Sequence, residues 1–240
     1  FSLKRWYIKA ITPLSGLNSF KFSPKDLLID SNSSINTDIM NFLSIDCSTE
    51  TGSLFLKTKN KTFSKVLQSD KFINDLLMKH ILDFIEENDL KLDNISQIFV
   101  NQGPGNFSGL RSSLATAKGI SLAKKLKLCG YNTFLWSCSK FFNKKDSIFS
   151  FIKFREKYFI KKFNSELKSI SEAKEVLIDE IVNKYKSEFK VIPKNISKDF
   201  DDKILKLNNL NIVDLNHNEL EFLQLKGLLN EDLIKPLYLS

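Results

Sequence analysis

Residues Asn101–Ala123 read NQGPGNFSGLRSSLATAKGISLA, and three of the chain's eight glycines, Gly103, Gly105 and Gly109, fall within seven positions of this stretch. Glycine clusters where the backbone must take a positive φ or pass close to other atoms. The apolar run Ile98, Phe99, Val100 predicts a strand entering the turn, and the pattern beyond it predicts a helix from about Leu110 to Lys127. Strand, glycine turn and helix in that order aim a helix N-terminus, with its free N–H groups, at an anion or a partner. The helix is lined with small residues, and Ala115, Gly119 and Ala123 recur every four positions on one face. A glycine inside a helix costs about 1 kcal/mol relative to alanine. Close backbone approach gives that cost a reason, either to the chain's own sheet or to a helix of another subunit.

At 240 residues the chain is long enough for one larger domain or two small lobes. No apolar run reaches the roughly 20 residues of a membrane span, so no membrane association is expected. Cys47, Cys129 and Cys138 stand in no metal-ligand spacing, which points to reduced, buried thiols and a cytoplasmic location. The net charge of +8 invites a nucleic-acid reading, but only three of the 36 basic residues, Arg5, Arg111 and Arg155, are arginine. Arginine is the better residue for bidentate phosphate recognition. The one local excess is Lys140–Lys162, with eight basic residues interleaved with aromatics. That segment reads either as a nucleic-acid face or as a strand pair with one buried side and a lysine-covered edge.

Residues 1–39 lack sustained periodicity and are expected to be a non-native or poorly ordered extension; Met40 is the first methionine and precedes a clean strand. Residues 40–135 form a first lobe in this reading, and 136–240 a smaller, divergent second one. In the first lobe, strands are expected at Phe42–Ile45, Ser53–Thr58 and Thr62–Leu67, the first two as a hairpin. A helix capped by Ser69 or Asp70 follows, with its apolar stripe at Phe72/Ile73, Leu76/Leu77, Ile81 and Phe84/Ile85. Another strand is expected near Leu128–Gly130. In the second lobe, strands are expected at Ile148–Phe154, Tyr158–Phe163, Phe189–Ile192 and Asn211–Leu215. Helices are expected at Ser171–Tyr185 and near Asn218–Leu228. No internal repeat is visible. Alternating hairpins and helices indicate a mixed α/β architecture.

Two motifs carry a family resemblance. IDCSTETGS at Ile45–Ser53, together with the glycine stretch about fifty residues later, resembles the TsaB (YeaZ) family. Asp46, Ser48 and Thr49 match its first motif. Gly103, Pro104, Gly105, Phe107, Gly109, Leu110 and Arg111 match its second, and KPLYL at Lys235–Leu239 resembles its closing motif. The close part of the resemblance covers about Met40–Leu128. It implies a two-lobed actin/Hsp70/sugar-kinase-like (ribonuclease H-like) fold, with mixed sheets flanked by helices. It also implies a non-catalytic accessory subunit of the bacterial machinery that makes N6-threonylcarbamoyladenosine in tRNA. The implied partners are the TsaD transferase subunit, bound as a heterodimer through the helices at Phe72–Ile85 and Leu110–Ala123, the TsaE ATPase subunit, and tRNA through the complex. Whether free chains pair with themselves is left open.

In the fold this family resembles, the hairpin after the first strand cradles ATP phosphates, and a cradle needs glycines. Here that turn, Asp46–Gly52, has one glycine and carries Glu50, so the chain is expected to hold no cofactor of its own, ATP being used by the complex. His80 and His217 lack paired metal-ligand spacing, so no metal is expected. Phe107 is then either an anchor in the partner or a plug in the chain's own core. Arg111 is expected to meet a partner's carboxylate or carbonyl, or to form an internal salt bridge to Asp46. Two other functions stand beside the accessory reading: an ATP-dependent small-molecule kinase or ATPase of the same fold, and a direct tRNA-binding module using Lys140–Lys162.

Overall fold

The computed structural model describes residues 41–67 and 73–239. The expectations about residues 1–39, Met40, the cap at Ser69 or Asp70, and Phe72 lie outside them. Among the described residues, the first five strands are β1 (Phe42–Asp46), β2 (Gly52–Lys57), β3 (Thr62–Leu67), β4 (Gln97–Asn101) and β5 (Lys127–Tyr131). They form one sheet in the order β3-β2-β1-β4-β5. β1, β2 and β3 pair antiparallel, while β1, β4 and β5 run parallel. Helix α1 (Ile73–Glu86) precedes β4, and α2 (Phe107–Lys124) joins β4 to β5.

The chain passes to the second sheet through α3 (Thr133–Cys138). The second sheet contains β6 (Ser147–Phe154), β7 (Lys157–Asn164), β8 (Lys174–Val176), β9 (Lys190–Pro193) and β10 (Leu210–Val213). Its order is β10-β9-β6-β7-β8, with β6, β7 and β8 antiparallel in sequence and β6, β9 and β10 parallel. Starting from β6, this is the topology of the first sheet over again. The fold is therefore the duplicated, ribonuclease H-like arrangement of the actin class. The short helices α4 (Ile178–Lys184), α5 (Lys194–Ser197), α6 (Asp202–Leu205) and α7 (Glu219–Leu225) complete the second half.

Both sheets are covered on both faces, which is why β1, β4 and most of β6 read as continuous apolar runs. Leu43, Ile45, Leu54, Leu56, Ile98 and Val100 meet Leu77, Ile81, Phe84, Leu114, Ala117 and Ile120 in the core beneath α1 and α2. Phe42, Phe55 and Phe99 face the other way, into a core shared with Trp136, Ile148, Ile152, Phe159 and Val191. The far face of the second sheet packs Phe149, Phe151 and Ile160 against Ile181, Tyr185 and Ile204. Lys190 is fully buried, and its Nζ donates to the carbonyls of Tyr185, Lys186 and Glu188 at 2.9, 3.0 and 2.6 Å.

Two expectations about elements are corrected. Ser171–Tyr185 is not one helix: Lys174–Val176 pairs as β8 with Tyr158–Ile160, and α4 begins only at Ile178. Leu76 does not belong to the buried stripe of α1, being 44% exposed.

Candidate functional site

The two sequence motifs meet in space. β1 ends at Asp46, which is buried, and its Oδ1 accepts from the Ser48 N–H at 2.9 Å and from Asn101 Nδ2 at 3.1 Å. The Asn101 amide lies 3.3 Å from Ser48 Oγ and 3.1 Å from Thr133 Oγ1, and its Oδ1 accepts the Gly103 N–H at 2.8 Å. Asn101 thus ties together the carboxyl ends of β1 and β4 and the residues just after β5. Asn106 donates its backbone N–H to the Ser48 carbonyl at 2.7 Å, and its side chain caps α2 by accepting from Ser108. Thr49 Oγ1 donates to the Thr51 carbonyl, closing the Asp46–Gly52 turn on itself.

The glycines are explained by this contact. A Cβ on Gly105 would collide with the Ser48 carbonyl, and one on Gly109 with the Cys47 carbonyl. Gly103 has φ +103°, a region that side-chain-bearing residues rarely occupy, and precedes Pro104 through a cis peptide. The glycine turn is therefore built to lie against the backbone of the first turn.

Ser48–Thr51, Pro104–Phe107 and Thr133 line one side of a cleft of about 620 Å³, which also takes in Ile152, Lys153, Phe154, Arg155, Asn195, Ile196, Lys198 and Asp199. The second side is the counterpart of the first: the β6–β7 turn answers the β1–β2 turn, and the segment after β9 answers the glycine turn. The β6–β7 turn has only Arg155 and Glu156 between paired residues Phe154 and Lys157, with Arg155 at φ +55°. Neither half carries a glycine-rich cradle, and Glu50 and Asp199 line the same cleft as Lys153, Arg155 and Lys198. Lys153 is already engaged by the Asp199 carbonyl and by Glu156. Among the described residues, no group of three or more His, Cys, Asp or Glu side chains is placed to hold a metal.

Away from the cleft, α2 turns a second face outward. Leu110, Ser113, Leu114, Ala117 and Ile120 are buried, whereas Ala115, Gly119 and Ala123 are exposed. A Cβ on Gly119 would meet nothing within 4 Å. The alternative in which Gly119 approaches the chain's own sheet is thereby excluded. Leu122 on α2 is 81% exposed, and Met78 and Leu82 of α1 are also exposed. Phe107 does not plug the core: it is 50% exposed, stacked on Tyr238 at 5.3 Å, with the Arg111 guanidinium 4.4 Å from its ring centre. Arg111 does not pair with Asp46, whose carboxylate is turned inward to Ser48 and Asn101.

Three residues of this region escape sequence reasoning: Asn101, Thr133 and His217. Asn101 is the last residue of β4 and Thr133 lies just beyond β5, at the carboxyl ends of parallel strands where α/β folds place their sites, and that position is the available signal. His217 comes from the far end of the chain and packs on the first sheet. Its Nδ1 lies 3.0 Å from Ser44 Oγ, and its ring stacks on Phe55 and sits 4.7 Å from Trp136. Burial pushes its pKa down to about 4, against the opposing pull of Asp46. Cys47, Cys129 and Cys138 are buried, and burial pushes each thiol up to about 12, which keeps them protonated.

Four of the aromatics of Lys140–Lys162 are core residues, and Phe141, Phe142 and Phe154 are half-buried. Phe149, Phe151, Tyr158 and Phe159 are buried on both faces of the β6–β7 pair, not on one as expected, and are not available as stacking platforms. No described helix is long and apolar enough to cross a membrane.

Comparison with known proteins agrees with this picture. The model of the family described as TsaD, tRNA N6-adenosine threonylcarbamoyltransferase, matches residues 69–148. The tRNA threonylcarbamoyladenosine biosynthesis protein TsaB of Buchnera aphidicola subsp. Baizongia pistaciae (strain Bp) is 33% identical over 84 residues. That stretch is 35% of this chain and spans 38% of the length of that protein. YeaZ from Pseudomonas aeruginosa superimposes with a TM-score of 0.62 at 15% identity, over 84% of this chain and all of that one. A crystal structure from the same organism, described as an uncharacterized protein with similarity to peptidase YEAZ, gives 0.63 at the same identity and coverage. With the Asp46 and Gly103–Arg111 motifs in order and in contact, the chain is similar to TsaB over its first lobe and shares the fold of the YeaZ structures.

Proposed function

We propose that the chain is a non-catalytic accessory subunit in the biosynthesis of N6-threonylcarbamoyladenosine in tRNA. In this reading it binds and activates the TsaD transferase subunit through the outer face of α1 and α2. The observation that carries it is the exposed, small-residue side of α2 around Gly119, open to close approach by another helix. Leu122 of α2 and Met78 and Leu82 of α1 are exposed as well and add apolar area to the outer faces of the two helices. TsaE and tRNA are met through the complex, which works in the cytoplasm and consumes the ATP.

The kinase or ATPase reading has less support. The turn that would cradle phosphates has its Ser48 N–H committed to Asp46 and its Ser48 carbonyl to Asn106, and Glu50 faces the cleft. A direct tRNA-binding role for Lys140–Lys162 lacks exposed rings for bases to stack on. The test is reconstitution with purified TsaD, TsaE, tRNA, ATP and the threonylcarbamoyl donor. The accessory reading expects modification to require this chain, and calorimetry of the isolated chain with ATP–Mg to give neither tight binding nor turnover. Tight binding with turnover by the chain alone would overturn it.

A further inference from the structure

The last residues of the chain form a strap across the first sheet. Asn230 exchanges two backbone hydrogen bonds with Gly130, at 2.7 and 2.9 Å. The buried side chain of Gln102 accepts from Asn230 Nδ2 at 2.7 Å and donates to the Lys235 carbonyl at 2.8 Å. The Gln102 carbonyl accepts the Leu237 N–H at 2.6 Å, and Ile234 is buried in the core beneath α1 and α2. The strap is thus bolted to the residue that begins the glycine turn. Its next side chain, Tyr238, is delivered onto Phe107, whose ring also carries the Arg111 guanidinium.

Both rings are half-exposed and Arg111 is exposed, so the stack is assembled at the surface rather than buried. Tyrosine and arginine are the residue types that dominate binding energy where they form ordered, partly desolvated clusters. A guanidinium that rests over a ring face keeps N–H donors for a carboxylate. The charge around it points the same way. α2 contains Arg111, Lys118 and Lys124 and no acidic residue; Lys124 is paired with Asp93, while Arg111 and Lys118 form no ion pair among the described residues.

We propose that the Arg111–Phe107–Tyr238 stack, held in place by the C-terminal strap through Gln102, is the anchor of the partner interface. Its occupant is an acidic segment of the transferase subunit that sets a carboxylate on Arg111. This rests on the accessory reading above and adds to it the partner's chemistry and the chain's own C-terminus as part of the site. Gln102 is a positioning residue, and Tyr238 and Arg111 make the contact.

The experiment is the affinity of the full chain for the purified transferase subunit at low and high salt, with thermal unfolding of each variant as the check on folding. Tyr238→Ala is expected to weaken binding about tenfold and Arg111→Glu about a hundredfold. Tyr238→Phe, which keeps the stack, is expected to stay within about twofold of the unsubstituted chain. Wild-type affinity is expected to fall with salt, and that of Arg111→Glu to lose this dependence. If the wild type binds and both folded variants, Tyr238→Ala and Arg111→Glu, bind as it does, the anchor is elsewhere and the accessory reading stands. The anchor is likewise elsewhere if Arg111→Glu abolishes only self-association of the chain. If the wild type does not bind the transferase at all, the accessory reading falls and this inference with it.

Discussion

The backbone N–H of Asn106 donates to the carbonyl of Ser48 at 2.7 Å, joining two motifs that stand 58 positions apart along the chain. That bond holds only because Gly105 and Gly109 bring no Cβ to the contact. Gly105→Ala and Gly109→Ala each drive a methyl group into backbone carbonyls rather than into movable side chains. Each is expected to cost about 3 kcal/mol, measurable by chemical denaturation. Gly119→Ala faces open solvent in mid-helix and is expected to stabilise by about 0.5–1 kcal/mol.

Asn101→Leu removes the amide that serves Asp46, Ser48 and Thr133, and leaves the Gly103 N–H without its acceptor. The residue is fully buried, so water cannot substitute freely. The expected loss is about 3 kcal/mol of stability by denaturant titration, and it should exceed the cost of Thr133→Val at the rim of the same network.

His217 gives the chain a predictable pH response. Its pKa is lowered from 6.5 in the unfolded chain to about 4 in the folded one, because burial disfavours the imidazolium. The unfolded state therefore binds the proton first, and stability falls as pH drops through the window from 6.5 to 4. The full contribution is present above pH 6.5. The loss at the acid end is about 3 kcal/mol. Stability curves at pH 7, 5.5 and 4 for wild type and His217→Gln should converge as pH falls, since the variant lacks this titration.

Lys190→Met takes from three carbonyls, at the end of α4 and in the turn after it, the ammonium that donates to them. The chain should lose about 3 kcal/mol, with the loss registered by hydrogen exchange in 185–190 before the first sheet opens.

Much of this fold is legible in the sequence where one periodicity rules. The runs Phe42–Ile45 and Ile98–Val100 and the stripe Leu77, Ile81, Phe84, Ile85 correspond to buried faces. Helix α2 begins at Phe107 rather than Leu110, because Asn106 caps it and Gly109 is a contact glycine inside the helix, not part of the turn. Lys174–Val176 has helical spacing, but the open edge of β7 offers ladder partners, and tertiary pairing overrides local pattern. α3 gives no periodic signal because all six residues of TFLWSC are buried and show no polar face. The duplication of the two sheets leaves no trace in residues: Asp46–Gly52 and Phe154–Lys157 occupy matching turns with no identity of chemistry. Asn101 and His217 acquire their meaning only when strand ends and a distant loop are brought together.

On the accessory reading, the catalytic partner packs against the open face of α2. The affinity of the purified chain for the TsaD transferase subunit, with and without Gly119→Leu, addresses this without intermediaries. Because a side chain at position 119 meets nothing in the free chain, the variant should unfold at or above the wild-type temperature and bind at least about tenfold more weakly. A folded Gly119→Leu chain that binds the transferase as tightly as wild type would rule this packing out.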